Sequence, residues 1–164
     1  MKKIICMMMI GLFLVSCGEK SVPAFADMGS LADAICRGAG MDRDSVYREE
    51  VDDDSAFAFG MTEEEFDRRV ENAVCLREIV DSKGRALYVF EAESENDSAW
   101  LAQKLYASYE FAPCDAAEKM TVACAGKYVM LFKSSAAEIE SAVSSFRALL
   151  GGTLRFRKDM ENHA

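Results

Sequence analysis

The sequence predicts an α+β domain: one antiparallel sheet of about four strands, made by two hairpin-then-helix units, with the helices on one face and a further helix at the N-terminal end. Three observations carry this reading. Val70, Asn72, Val74 and Leu76 alternate with Glu71, Ala73, Cys75 and Arg77, which is strand periodicity. Turn-forming clusters, Asp81-Ser82-Lys83-Gly84 and Gly126-Lys127, each separate two strand-like runs. After each pair the apolar spacing becomes helical.

The chain opens with Met1-Lys2-Lys3, an apolar run from Ile4 to Val15, and Ser16-Cys17-Gly18. A positive start and a run of about twelve apolar residues suit a secretory signal, because a bilayer-spanning helix needs ~20. Leu14-Val15-Ser16-Cys17 resembles the bacterial lipobox: a leucine, a small residue before the cut, and a cysteine after it. The resemblance implies cleavage before Cys17 and a diacylglycerol on its thiol, with or without an N-acyl chain. Two acyl chains give stable anchoring where one does not. The expected location is the extracytoplasmic face of the cell membrane. Gly18 is not Asp, so nothing suggests retention at an inner membrane. Residues 1–16 then form the signal peptide and 17–27 a lipidated tether (GEKSVPAFA from Gly18). Residues 28–152 form the domain and 153–164 a C-terminal tail.

The first helix is expected from about Asp27 or Met28 to Arg37, with Leu31, Ala34 and Ile35 at helical spacing and Gly38 as its stop. Met41–Asp54 reads as acidic and irregular, and Ser55–Gly60 as a short strand or an ordered loop. Thr62-x-x-Glu65 is a capping-box pattern opening a short helix to about Arg69. Strands follow at Val70–Ile79 and Ala86–Ala92, then a helix over Ser94–Tyr109. Strands at Met120–Ala125 and Tyr128–Lys133 flank a two-residue turn with glycine first, which suits type II′. The last helix spans Ser135–Leu150. Leu154–Lys158 reads as an edge strand or a frayed end.

Cleavage would remove two lysines and take the net charge from −9 to −11. So acidic a surface repels nucleic acid and anionic head groups, and no basic patch with interleaved aromatics is visible. Besides Cys6 in the signal and Cys17, the cysteines are Cys36, Cys75, Cys114 and Cys124. An even number permits two disulfides. No C-x-x-C is present, so a zinc or thioredoxin-like site is not expected. The four are expected reduced and serving packing, with Cys75–Cys124 the first pair to suspect if a bridge exists.

The stretch Phe57–Leu150 resembles a family of uncharacterised lipoproteins from Gram-positive anaerobes, a domain of unknown function. The likeness is carried by the lipobox, Leu31-Ala32-Asp33-Ala34-Ile35, Ala86–Ala92, Leu105-Tyr106, Cys114-Asp115-Ala116-Ala117-Glu118-Lys119, and Gly126-Lys127-Tyr128-Val129-Met130-Leu131-Phe132. It implies a small secreted α+β domain and carries over no catalytic residue.

Catalytic groups are sparse. The one histidine, His163, is next to last. Cys114 follows Pro113 in a linker, with Lys119 the nearest base in sequence. A nucleophilic thiolate there would need a cationic neighbour. Glu49–Asp54 lacks the alternating spacing of an EF-hand loop and reads as a solvated face rather than a calcium site. Glu63-Glu64-Glu65 is explained by a helix N-terminus. Trp100, Tyr106 and Tyr109 read as core residues before pocket residues. No phosphate-binding glycine loop is present. The expectation is a lipid-anchored, non-catalytic binding or accessory module at the cell envelope, with no metal and no cofactor besides the lipid on Cys17. Its partners would be the membrane, through that anchor, and an unidentified envelope protein or small ligand. The alternative is an envelope enzyme using Cys114 or a carboxylate.

Overall fold

Six strands form one antiparallel sheet in the computed structural model, which describes residues 27–79, 84–113 and 115–163. The lipobox, Cys17, the tether to Ala26, the turn residues 80–83 and Cys114 lie outside the described residues. The strands are β1 (Val46–Glu50), β2 (Val70–Glu78), β3 (Ala86–Ala92), β4 (Lys119–Ala125), β5 (Tyr128–Ser134) and β6 (Phe156–Glu161). Their order is β1-β2-β3-β5-β4-β6. The helices are α1 (Met28–Gly38), α2 (Glu63–Arg69), α3 (Glu95–Ser108) and α4 (Ala136–Leu149), with 3-10 turns at Arg43–Ser45 and Asp53–Phe59.

The two hairpin-then-helix units, β2-β3-α3 and β4-β5-α4, are present, and β3 and β5 pair at the centre of the sheet, Val89 opposite Met130. The sheet has six strands rather than about four. The acidic segment after Met41 contains β1, paired to β2 with Glu49 opposite Cys75. Leu154–Lys158 leads into β6, which pairs with β4. The missed and the unresolved strand are thus the two edges, where one side faces water and charged residues are tolerated.

The long helices lie on opposite faces, not on one, and the topology requires it. Neighbouring strands are all antiparallel, so β3 and β4, which flank β5, run parallel, as do β5 and β6, which flank β4. α3 is the crossover from β3 to β4, and α4 the crossover from β5 to β6. Both step the same way across the sheet but start from strands of opposite direction. Crossovers of one hand must then leave from opposite faces, and right-handed crossovers are strongly preferred. The first face carries α1 and α4 over Val74, Leu76, Leu87, Val89, Met130 and Phe132. The second carries α2, α3 and the 53–59 turn over Cys75, Phe90, Val122, Cys124, Val129 and Leu131.

Local signals set the helix ends. Asp27 caps α1 by accepting from the Ser30 amide at 2.7 Å, and Thr62 and Glu65 close the expected capping box on α2. Ser94 and Ser135 cap α3 and α4. Gly38 does not end α1 through a positive φ, a role that falls to Gly40 at 77°. Gly38 instead lets α1 approach α4: a Cβ there would lie 1.7 Å from Ser145 Oγ.

Candidate functional site

The 53–59 turn determines the site. In a 3-10 helix, residues i and i+3 eclipse. Ala56 and Phe59 therefore share a side and are buried, Phe59 wedged edge-on against Tyr88 and Phe90 with both centroids at 5.3 Å. Asp54 and Phe57 share another side and face outward, and Phe57 is 81% exposed. Asp52 caps the turn through the Ser55 amide and hydroxyl, and Gly60 (φ 70°) ends it.

Between this turn and β1 lies a cleft of about 370 Å³. Tyr88 and Leu131 form its floor, Glu49, Glu50 and Val51 one wall, Phe57 and Phe59 the other, and Tyr109 the far end. Arg77 enters from β2. Its guanidinium carbon lies 5.5 Å from the Tyr88 ring centroid. Nη2 donates to the Tyr88 hydroxyl at 2.7 Å, and Nε pairs with Glu49 at 3.1 Å. Burial raises the Tyr88 and Tyr109 phenols above their ordinary range, so both stay neutral donors near pH 7. Glu49, Asp52 and Asp54 also line the cleft, and Asp54 has no ion-pair partner among the described residues; Glu50, opposite Val74, turns its side chain to the first face.

A larger concavity, about 720 Å³, lies beyond the ridge Glu50-Val51-Asp52. Arg48 there pairs with Asp33 at 2.8 Å and Glu71 with Lys127 at 2.6 Å, while Asp27, Glu50 and Asp52 on its rim have no ion-pair partner among the described residues. Asn72 there donates to Glu91 at 3.2 Å. The smaller cleft is the one that sets aromatic walls, Phe57, Tyr88 and Tyr109, beside an unpaired carboxylate, Asp54.

The sequence candidates distribute as follows. Of Trp100, Tyr106 and Tyr109, only Tyr109 lines the cleft; Trp100 lies under Arg69 at 4.2 Å and Tyr106 packs beside Lys158. The acidic run Glu49–Asp54 finishes β1 and opens the 3-10 turn. Among the described residues no three His, Cys, Asp or Glu side chains converge to hold a metal. His163 is exposed beyond β6, at the opposite edge of the sheet from β1. Cys114 is outside the described residues. Its neighbour Asp115 accepts from Lys133 at 2.8 Å and from the Tyr109 hydroxyl at 3.4 Å.

Cys36, Cys75 and Cys124 are free thiols, all buried. Cys75 and Cys124 share the second face. Strands β3 and β5 separate them, which places them at least ~14 Å apart and rules out a bridge. Burial pushes the Cys36 thiol up to about 11 and raises Cys75 and Cys124 as well, so none is a ready thiolate.

Sequence reasoning missed Phe57, Arg77 and Tyr88 as site residues, and read Asp54 only as part of a solvated acidic face. The 3-10 spacing of Ala56 and Phe59 against Asp54 and Phe57 was the one local signal for it. Among the described residues, no helix is long and apolar enough to cross a membrane. No family model matches this chain, and no curated protein or solved structure matches it.

Proposed function

We propose that this chain is an extracytoplasmic lipoprotein, anchored through a diacylglycerol on Cys17, whose folded part is a non-catalytic binding module of the cell envelope. The order of Lys2-Lys3, the apolar run and Leu14-Val15-Ser16-Cys17 supports the anchor. The first described residue, Asp27, is ten positions after Cys17, a reach of at most about 35 Å.

The observation that carries the binding reading is the cleft beside β1. It combines concavity, exposed aromatic surface and a carboxylate, Asp54, without an ion-pair partner among the described residues, the usual composition of a small-ligand site. The test has two arms on the full chain expressed in bacteria. In the first, detergent partitioning and intact mass are compared with Cys17→Ala. The unaltered chain should enter the detergent phase carrying lipid, and the variant should not. Equal partitioning and equal lipid mass would remove the anchor. In the second, small-ligand binding is compared with Tyr88→Leu, which keeps bulk but loses the phenol. Ligands held equally by both forms would place binding elsewhere.

A further inference from the structure

We propose that the cleft beside β1 binds the ammonium group of a small aliphatic amine; this rests on the binding-module reading above. The charge balance is the first support. Three carboxylates, Glu49, Asp52 and Asp54, line the cleft with one guanidinium, and that guanidinium is committed to Glu49 and Tyr88. An anion would be repelled. A neutral apolar ligand would strip water from Asp54 without replacing it, which is costly for an ionised group.

The second support is the walls. Phe57, Tyr88 and Tyr109 present aromatic surface to the same space that the carboxylates rim. Aromatic faces attract cations, and organic ammonium ions are held by such surfaces together with nearby carboxylates. The protein already uses this chemistry there: Arg77 is a cation held by an aromatic ring and a carboxylate at once.

The third support separates an organic cation from a metal ion. No three acidic side chains among the described residues converge on one point, as a bare divalent ion needs. Dispersed carboxylates around an apolar floor match a bulky cation with a hydrocarbon stem. A space of about 370 Å³ is at the small-molecule end of ligand sites, so the fit is to a free amine rather than to a folded partner.

The test uses the full chain in nonionic detergent, with pentylammonium, neutral pentanol and anionic pentanoate as matched probes and a blocked Gly-Lys-Gly peptide as a fourth. Binding is read by calorimetry at about 0.15 M salt, where long-range attraction to acid is screened, and located by NMR. Pentylammonium should saturate, shift resonances of the cleft and bind at least about tenfold more tightly than pentanol. Asp54→Asn should weaken it about three- to fivefold, and Phe57→Ala about threefold. Asp67→Asn, the same charge change elsewhere, should leave it unchanged.

Equal loss in Asp54→Asn and Asp67→Asn, or shifts spread over the acidic surface, would overturn the proposal, because attraction to net charge would then explain binding. Binding of the peptide but not the amine would overturn the free-amine form. Pentanol or pentanoate held in the cleft as well as pentylammonium would overturn the ligand class while leaving a binding module. Silence from all four probes would remove both readings.

Discussion

The two faces of the sheet are built from the same strands but closed differently. On the first face, α1 and α4 lie side by side and touch each other, and Phe132, Phe146, Leu31 and Ile35 are fully buried beneath them. On the second, α3 covers the β4–β5 side, and the β1–β2 side is left to one short helix and a 3-10 turn. A turn of seven residues cannot fill the area that an eleven-residue helix covers opposite it, and the cleft is the remainder. A second helix closes a face into a core. A short turn anchored by Phe59 leaves aromatic and acidic groups accessible, so stability and recognition are divided between the faces.

The largest test of that division compares two phenylalanines. Phe132, with no exposed surface on the first face, should cost about 3–5 kcal/mol when changed to Ala, through lost burial and the cavity left behind. Phe57→Ala should change stability by no more than about 0.5 kcal/mol. Denaturant unfolding of both variants measures the contrast. A large loss for Phe57→Ala would mean that the cleft is covered in solution and the faces are not divided as described.

Next in size is the ion cluster at the end of the β2–β3 hairpin, on the first face. Arg85 pairs with Glu78 and, at 2.8 Å, with Glu138, and Glu138 also accepts from the Ser134 hydroxyl. The Glu78 and Arg85 side chains are 7% and 12% exposed. Arg85→Met should cost about 2–4 kcal/mol, because it leaves Glu78 buried and unpaired. Adding Glu78→Gln should recover most of it. Burial acts to raise the Glu138 pKa, but hydrogen bonds from Ser134 and Ser135 and the Arg85 charge outweigh it, and the group sits below its ordinary 4.5. A depressed carboxylate contributes stability in full above its unfolded pKa and loses it as pH falls through the folded value. Stability should therefore decline below about pH 4.5, and Arg85→Met should flatten that acid limb. An unchanged limb would show that Arg85 does not hold Glu138.

Much of the fold was legible in the sequence, and what was not has physical causes. The hairpins, both long helices and the capping box were readable because period, turn residues and caps are local. The sidedness of the helices was not, since it follows from strand direction and crossover hand together. One signal did point to it. Ala86–Ala92, Lys119–Ala125 and Tyr128–Ser134 are apolar at both parities, as strands covered on both faces are. The edge strand Val46–Glu50 was hidden because Val-Tyr-Arg-Glu-Glu has one sheet neighbour and three charges. The cleft was less legible still. Arg77 and Glu49 are 28 residues apart and meet only through the β1–β2 pairing, Glu49 beside Cys75 and Tyr47 beside Arg77.

The smallest expected effect sets one glycine on each face against the other. Gly38 in α1 lies against Ser145, and Gly60, at the end of the 3-10 turn, lies against Ser108. An added Cβ would come 1.7 Å from Ser145 Oγ in the first case and 2.2 Å from Ser108 Oγ in the second. In an open helix, Gly→Ala gains about 1 kcal/mol. At Gly38 the serine hydroxyl can rotate away, but its Cβ, 2.5 Å from the new methyl, cannot move unless α4 does. Overpacking of that kind costs about 1–3 kcal/mol, so Gly38→Ala should lower stability by about 1 kcal/mol net. Ser145→Gly should relieve it in a double-mutant cycle, with a coupling of at least about 1 kcal/mol. Gly60→Ala should cost a similar amount for a different reason. Its φ of 70° is unfavourable for any side chain, by about 1–2 kcal/mol, and removing Ser108 leaves φ as it was. Rescue at Gly38 without rescue at Gly60 would separate helix-to-helix contact on the closed face from backbone geometry on the open one. Rescue at both would mean that the 53–59 turn is also held by side-chain packing, and that the cleft wall is less dependent on its backbone than its φ angles suggest.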